Sequence, residues 1–123
     1  VNVLVREILD TLDVRDLIIE AGLGFNCGAG GKRLSTAQRQ KLSLARALIK
    51  EPRMLVVNGA LANLDDEQKT RIVERVLNYR KSRATLWVLT KDDLAPNFDR
   101  TLQFDQGRLK ADSSPRPATA ASA

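Results

Sequence analysis

The chain has no histidine, one cysteine (Cys27), one methionine (Met54), one tryptophan and one tyrosine among its 123 residues. Each scarcity removes a class of chemistry. Without imidazole there is no histidine general base and no histidine metal ligand. A single thiol allows neither an internal disulfide nor a cysteine-based metal site, and it fits a reducing compartment. Three Phe complete the aromatic set, too few for a surface that stacks on single-stranded nucleic acid. Trp87, inside an apolar run, reads as core and not as a stacking platform. No apolar run approaches the roughly 20 residues that span a bilayer. Val1-Asn2-Val3 lacks a basic region leading into an apolar one, so no signal peptide is expected. The only methionine is internal, which leads one to expect a piece of a longer parent.

What is present is a globular composition. Apolar residues make up 43%, enough for a packed core, and the length suits one compact domain. The net charge of +5 and pI near 9.8 permit an acidic partner such as nucleic acid, phosphate or anionic lipid. A solvated basic surface is the plainer reading of the same charge.

Leu4, Ile8 and Leu12 recur at a helical spacing. Asp13 is placed to cap a second short helix, with Leu17 and Ile18 inward and Gly22 as its stop. Five of the seven glycines fall between Gly22 and Gly31, which marks a loop. Ser35 with Gln38 forms a capping-box pattern, so a long helix starts near Thr36 and ends before Pro52. Its polar side carries Gln38, Arg39, Gln40, Lys41 and Arg46; its apolar side carries Leu42, Ala45, Leu48 and Ile49. Arg53 to Val57 reads as a buried parallel strand. Gly59 to Leu64 is a turn, and Asp65 with Gln68 caps a helix that runs to about Tyr79, burying Ile72, Val73, Val76 and Leu77. Thr85 to Thr90 is a second buried strand. Arg100 to Phe104 and Arg108 to Lys110 flank Asp105-Gln106-Gly107 as a hairpin at the sheet edge. Ala111 to Ala123 is expected to be a flexible tail.

Strands joined through a helix make a parallel sheet with a right-handed crossover. Two strands are fewer than a doubly wound sheet usually carries, and their open edges attract partners. The expected class is therefore α/β, with part of the layer outside this chain. The expected divisions are residues 1–52 (helical), 53–110 (α/β core) and 111–123 (tail).

The polar helix start beside a glycine-rich loop is a natural place for an anion. Leu34-Ser35-Thr36-Ala37-Gln38 resembles the signature motif of ABC-type ATPases, usually Leu-Ser-Gly-Gly-Gln, and Leu44-Ala45-Arg46-Ala47-Leu48 continues the pattern. Pro52 and Met54 to Val57 resemble the lead-in and strand of Walker B. Leu61-Ala62-Asn63-Leu64-Asp65 is similar to the D-loop, Thr85 to Lys91 to the strand reaching the switch position, and Phe98-Asp99-Arg100 with Asp105-Gln106-Gly107-Arg108 to the closing segment. The resemblance covers about residues 1–109. It implies the C-terminal half of an ABC transporter ATP-binding domain, with a partial P-loop NTPase-like fold.

In that family two nucleotide-binding domains sandwich ATP and Mg²⁺, and the signature loop of one completes the site of the other. The resemblance thus implies Ser35, Thr36, Ala37 and Gln38 as a nucleotide contact in trans, Asn58 and Gly59 at the Walker B positions, Asp65 in the D-loop and Lys91 at the switch position. It also implies a second nucleotide-binding domain and a transmembrane domain as partners, at the cytoplasmic face of a membrane.

The departures are specific. Thr36 and Ala37 replace two glycines, which adds bulk and penalises positive φ. Asn58 replaces the aspartate and orders Mg²⁺ less well. Gly59 replaces the catalytic glutamate, so no side chain polarises water there. Lys91 replaces the switch histidine and donates without accepting.

Gly28 to Arg33 invites a false phosphate-loop match, but G-x-x-x-x-G-K-[ST] requires glycine where Asn26 stands and a hydroxyl where Arg33 stands. The dinucleotide pattern G-x-G-x-x-G is absent as well. With no catalytic residue assigned and no ATP or Mg²⁺ expected to bind tightly, the chain alone is expected to be inactive. Two alternatives stay open: a non-enzymatic regulatory or dimerisation module, and a nucleic-acid-associated ABC ATPase supported only by the charge. Residue by residue, Ser35 as a plain helix cap, Asn58-Gly59 as a strand-end turn, Lys91 as a solvated lysine and Cys27 as a small loop residue also remain open.

Overall fold

A computed structural model describes residues 3–91 and 93–114. They divide into two compact units, one extending to Leu89 and one beginning at Thr90. The element order is α1 (Val3–Thr11), α2 (Arg15–Ala21), α3 (Thr36–Leu48), β1 (Met54–Asn58), α4 (Asp66–Tyr79), β2 (Ala84–Val88), β3 (Thr101–Asp105) and β4 (Arg108–Ser113). The α/β class expected from the sequence is observed.

In the first unit α1 packs against α3 and α4, with Ile8 and Leu12 fully buried beside Leu44, Leu48, Ile72, Val73 and Val76. The periodicity of α1 and α4 placed Ile8, Leu12, Ile72, Val73 and Val76 correctly, while Leu4 and Leu77 are only half-buried. On α3 the apolar face is rotated from the expected one: Leu44 is buried, whereas Ile49 is 42% exposed. The reason is geometric. The helix ends at Leu48, and Ile49 lies at its cap, where the chain turns toward Pro52.

Asp13 does not cap α2. The N-cap is Val14, without a side-chain bond. Asp13 instead takes a left-handed backbone (φ 59°) and turns its carboxylate to Arg71 of α4 at 3.2 Å. Basic side chains also cover the α1–α2 corner: Arg75 donates to the Asp10 carbonyl (3.3 Å) and Lys41 to the Asp13 carbonyl (3.5 Å). These cations sit where a helix C-terminus favours positive charge. Gly22 does stop α2, at φ 79°, with its N–H donating to the Ile18 carbonyl.

β1 and β2 pair in parallel, Val56 opposite Leu86 and Asn58 opposite Val88. The strands are not buried on both faces, as the continuous apolar runs had implied. Leu55 and Val57 are 4% exposed, while Met54, Val56, Leu86 and Val88 are each about half exposed. Period-2 alternation sends successive side chains to opposite faces, and among the described residues the face that carries Leu55 and Val57 is the buried one. At the end of α4, Arg80 is buried; it donates to Thr85 Oγ1 (3.3 Å) and the Ala84 carbonyl (3.0 Å), joining α4 to β2. Burial and then the nearby charge of Arg83 lower its pKa.

In the second unit β3 and β4 form an antiparallel hairpin with a bulge at Gln103/Phe104. Its turn residues, Gln106 (φ 47°) and Gly107 (φ 77°), suit a two-residue connection in which both central residues are left-handed. Among the described residues the hairpin forms a two-stranded sheet of its own, where a place at a sheet edge was expected. β4 continues through Ser113, so Ala111 to Ser113 are strand where tail was expected. The rest of the expected tail, from residue 115, lies outside the described residues.

Candidate functional site

The start of α3 is built by its own sequence. Gln38 N–H donates to Ser35 Oγ (3.1 Å), and Ser35 N–H donates to Gln38 Oε1 (2.9 Å). This reciprocal cap fixes the helix entry and contributes about 1 kcal/mol. Ser35 Oγ accepts in this pair, so its own O–H is left as a donor. Ser35 and Thr36 are exposed. Among the described residues the N–H groups of Thr36 and Ala37 have no hydrogen-bond partner. They are the unpaired donors that every helix start carries.

The preceding loop presents this end to solvent. Gly28 N–H donates to Asn26 Oδ1 (2.9 Å), Arg33 N–H to the Cys27 carbonyl (3.0 Å) and Leu34 N–H to the Gly31 carbonyl (2.9 Å). Gly31 has φ 73°, and a Cβ there would meet Arg39 Cδ at 3.0 Å. Glycine thus lets the Arg39 side chain lie across the loop. Arg39 Nη2 donates to Thr36 Oγ1 (3.1 Å), which holds a cation at the helix start. Arg33 donates to the Asn26 carbonyl (3.3 Å) on the same loop.

Thr36 and Ala37 are the first residues of α3 and do not have positive φ. The expected backbone penalty at position 37 is therefore absent, and only added bulk distinguishes these positions from glycine. The left-handed residues of this segment are Gly28, Gly30 and Gly31 upstream.

Asn58 is the last residue of β1, exposed on the open face of the sheet. Gly59 follows at φ 71°, and among the described residues nothing lies within 4 Å of where a Cβ would sit. The turn then buries Leu61 and Leu64 and delivers Asp65 to cap α4. Asp65 Oδ1 accepts from Gln68 N–H (2.8 Å) and Oδ2 from Gln68 Nε2 (2.9 Å). Lys91 is exposed and stands in the second unit.

The first unit thus holds two candidate groups: residues 35–38 at the α3 start, and Asn58, Gly59 and Asp65 along one segment. A contact the sequence reading missed joins them. Asn63 N–H donates to Gln40 Oε1 at 3.3 Å. The available signal was spacing: Gln40 lies four residues from both Thr36 and Leu44, on a helix stripe leading into the core. Arg39 as the partner of Thr36 was missed as well, though i,i+3 spacing allows it.

The donor set at the α3 start fits a phosphate. Two N–H groups, a hydroxyl and a cation belong to the first turn of α3, the positive end of a helix dipole. The residues do not fit a divalent cation. Asn58 offers a neutral amide, both Asp65 oxygens are engaged, and among the described residues no group of three or more His, Cys, Asp or Glu is placed to hold a metal. An open concavity on α4, lined by Asp66, Glu67, Thr70, Arg71 and Glu74, is predominantly acidic and has the wrong sign for a phosphate. Among the described residues no helix is long and apolar enough to cross a membrane.

The fold is that of part of an ABC exporter chain. A bacterial Atm1-family ABC exporter, solved with ATP bound, matches all of this chain at a TM-score of 0.81 and 23% identity, over 22% of the exporter chain. Curated relatives carry the same theme in sequence. An ATP-dependent lipid A-core flippase of Xylella fastidiosa (strain Temecula1) is 35% identical over 88 residues, 72% of this chain and 15% of the flippase. One from Hahella chejuensis is 34% identical over 107 residues, 85% of this chain and 18% of the flippase. The chain spans less than a fifth of the length of these relatives. No protein-family model matches it.

Proposed function

We propose that the chain is the C-terminal part of an ABC transporter ATP-binding domain, with a P-loop NTPase-like core completed by chain upstream. Its signature loop contributes to an ATP site in trans, at a dimer with a second nucleotide-binding domain. Its own site does not hydrolyse ATP. The observation that carries this reading is the α3 start: Ser35 is locked by Gln38, while its hydroxyl and the Thr36 and Ala37 N–H groups remain to meet a terminal phosphate. ATP supplies the anion, and Mg²⁺ is held by the partner's groups. Ser35 through Ala37 bind the phosphate and Arg39 adds charge; no residue of this chain serves as the base. The partner domain, a transmembrane domain and the cytoplasmic membrane face follow from the same reading, as does transport.

The exposed apolar face of β1 and β2 supports the expectation of an upstream half, because such faces are normally covered. It also favours a second reading, a regulatory or dimerisation module that holds a partner without nucleotide. A nucleic-acid role has only the charge behind it; duplex binding that weakens steeply with salt would raise it. An ATPase assay on the pure chain tests the main reading: turnover should be absent, and turnover that disappears with Ser35→Ala would overturn it.

A further inference from the structure

The connections that lead into the two parallel strands gather positive charge at one end of the first unit. α3 ends at Leu48 and β1 begins at Met54; α4 ends at Tyr79 and β2 begins at Ala84. Because β1 and β2 pair in parallel, with Met54 opposite Ala84, both connections arrive at the same end of the sheet. They carry Lys50, Arg53, Arg80, Lys81 and Arg83 against one acid, Glu51. Arg80 is buried and committed to Thr85 Oγ1 and the Ala84 carbonyl. The other four cations are exposed. Among the described residues none of their side chains forms a hydrogen bond or an ion pair, with Glu51 or with any other acid.

A helix C-terminus favours positive charge only near its last turn. That accounts for Lys50, Arg80 and Lys81, beside the ends of α3 and α4. It does not account for Arg53 and Arg83. These two immediately precede the first paired residues of neighbouring strands, whose backbones lie about 4.8 Å apart, and like charges on neighbouring strands repel. After burial, the charge of Arg83 is what lowers the pKa of Arg80, so the repulsion is felt within the chain. The candidate phosphate groups lie elsewhere: Asn58 closes β1 at its other end, about 16 Å along the strand from Arg53.

We propose that this end of the sheet is a docking surface for an acidic peptide segment. Neighbouring Asp or Glu side chains of the partner meet Arg53 and Arg83, with Lys50 and Lys81 flanking them. Guanidinium forks take carboxylates in two-point contacts, and the added negative charge relieves the repulsion. Ile49 and Met54, both exposed, offer apolar contact beside the cations. Neither connection holds an aromatic side chain on which a nucleic-acid base could stack, and two apolar side chains are too few to anchor in a lipid surface. An acidic peptide needs neither. The inference stands apart from the phosphate-binding reading, because it uses none of the same residues.

The test uses the full 123-residue chain and a labelled oligoglutamate peptide, with oligoglutamine as the uncharged control. Fluorescence anisotropy at low salt reads the affinity, and amide chemical shifts read the place. Oligoglutamate should bind and oligoglutamine should not. In the wild type the shift changes should centre on residues 49–53 and 81–84 and spare 35–38. The double variant Arg53→Gln/Arg83→Gln should weaken binding about tenfold, as loss of two exposed charge contacts implies. Arg108→Gln/Lys110→Gln removes the same charge from exposed positions of the hairpin and should weaken it less than about twofold, because distant charges are screened. No binding by the wild type, equal weakening in the two double variants, or shifts centred elsewhere would overturn the proposal. The shift map is read on the wild type, so it decides even where a variant unfolds. Duplex DNA or phosphatidylserine vesicles bound more tightly than the peptide, through the same two arginines, would overturn the choice of an acidic peptide.

Discussion

Asp13 and Arg71 lie 3.2 Å apart, an ion pair between residues 58 positions apart in sequence that fastens the α1–α2 corner to α4. Both side chains are roughly 40% exposed, so the charge pair itself contributes modestly, about 0.2–1 kcal/mol. Asp13 has a second task, because its φ of 59° suits aspartate or asparagine better than other side chains. Asp13→Ala should therefore cost about 1 kcal/mol and Asp13→Asn less than half of that. Urea unfolding at low and at high salt separates the two contributions, since only the ion pair is screened.

The open sheet face makes a sharp contrast between neighbours. Leu55→Ala should destabilise by about 2–4 kcal/mol through loss of burial and a cavity. Val56→Thr, one residue away on the exposed face, should change stability by less than about 0.5 kcal/mol. Chemical denaturation of the two variants checks this, and comparable losses would mean that both faces are covered.

On the proposed reading Gly59 takes the place of a catalytic glutamate; it has φ 71°, and among the described residues nothing lies within 4 Å of where a Cβ would sit. Gly59→Glu should cost about 1–2 kcal/mol from the left-handed backbone alone, with no gain of ATP hydrolysis in the isolated chain. Thermal unfolding and a phosphate-release assay measure the two parts.

Arg100 and Asp112 form a two-point contact across the hairpin, at 2.9 and 2.7 Å. The hydrogen bond and then the charge of Arg100 hold the Asp112 carboxyl below the usual aspartate range. A group with a depressed native pKa stabilises above its unfolded pKa and loses that contribution as pH falls through its native one. Hairpin chemical shifts should thus change as pH drops below the ordinary aspartate range, and Asp112→Asn should remove that part of the titration.

Much of this was legible in sequence because local rules carried it. Ser35 with Gln38, Asp65 with Gln68, Gly22 as a helix stop and the Gln106-Gly107 turn are contacts among near neighbours. They need no knowledge of the rest of the chain. The failures were tertiary. Asp13 had a good cap pattern, but Arg71, far along the chain, competed for its carboxylate. Val56 and Leu86 sit in runs that suit a fully covered strand, and nothing local says that one face stays open. The candidate site divides the same way. Its candidate residues were proposed from motifs, whereas the contact between Gln40 and Asn63 depends on how α3 lies against the turn. The helical φ at Ala37 was likewise invisible to an argument built on glycine replacement.

The most direct measurement mixes the full chain with an intact ABC nucleotide-binding domain and follows association by sedimentation, with and without Mg-ATP. Association should appear with ATP and weaken at least tenfold in Ser35→Ala, with the helix content of that variant retained. Equal association without nucleotide, indifferent to Ser35→Ala, would contradict the account and leave a docking module in its place.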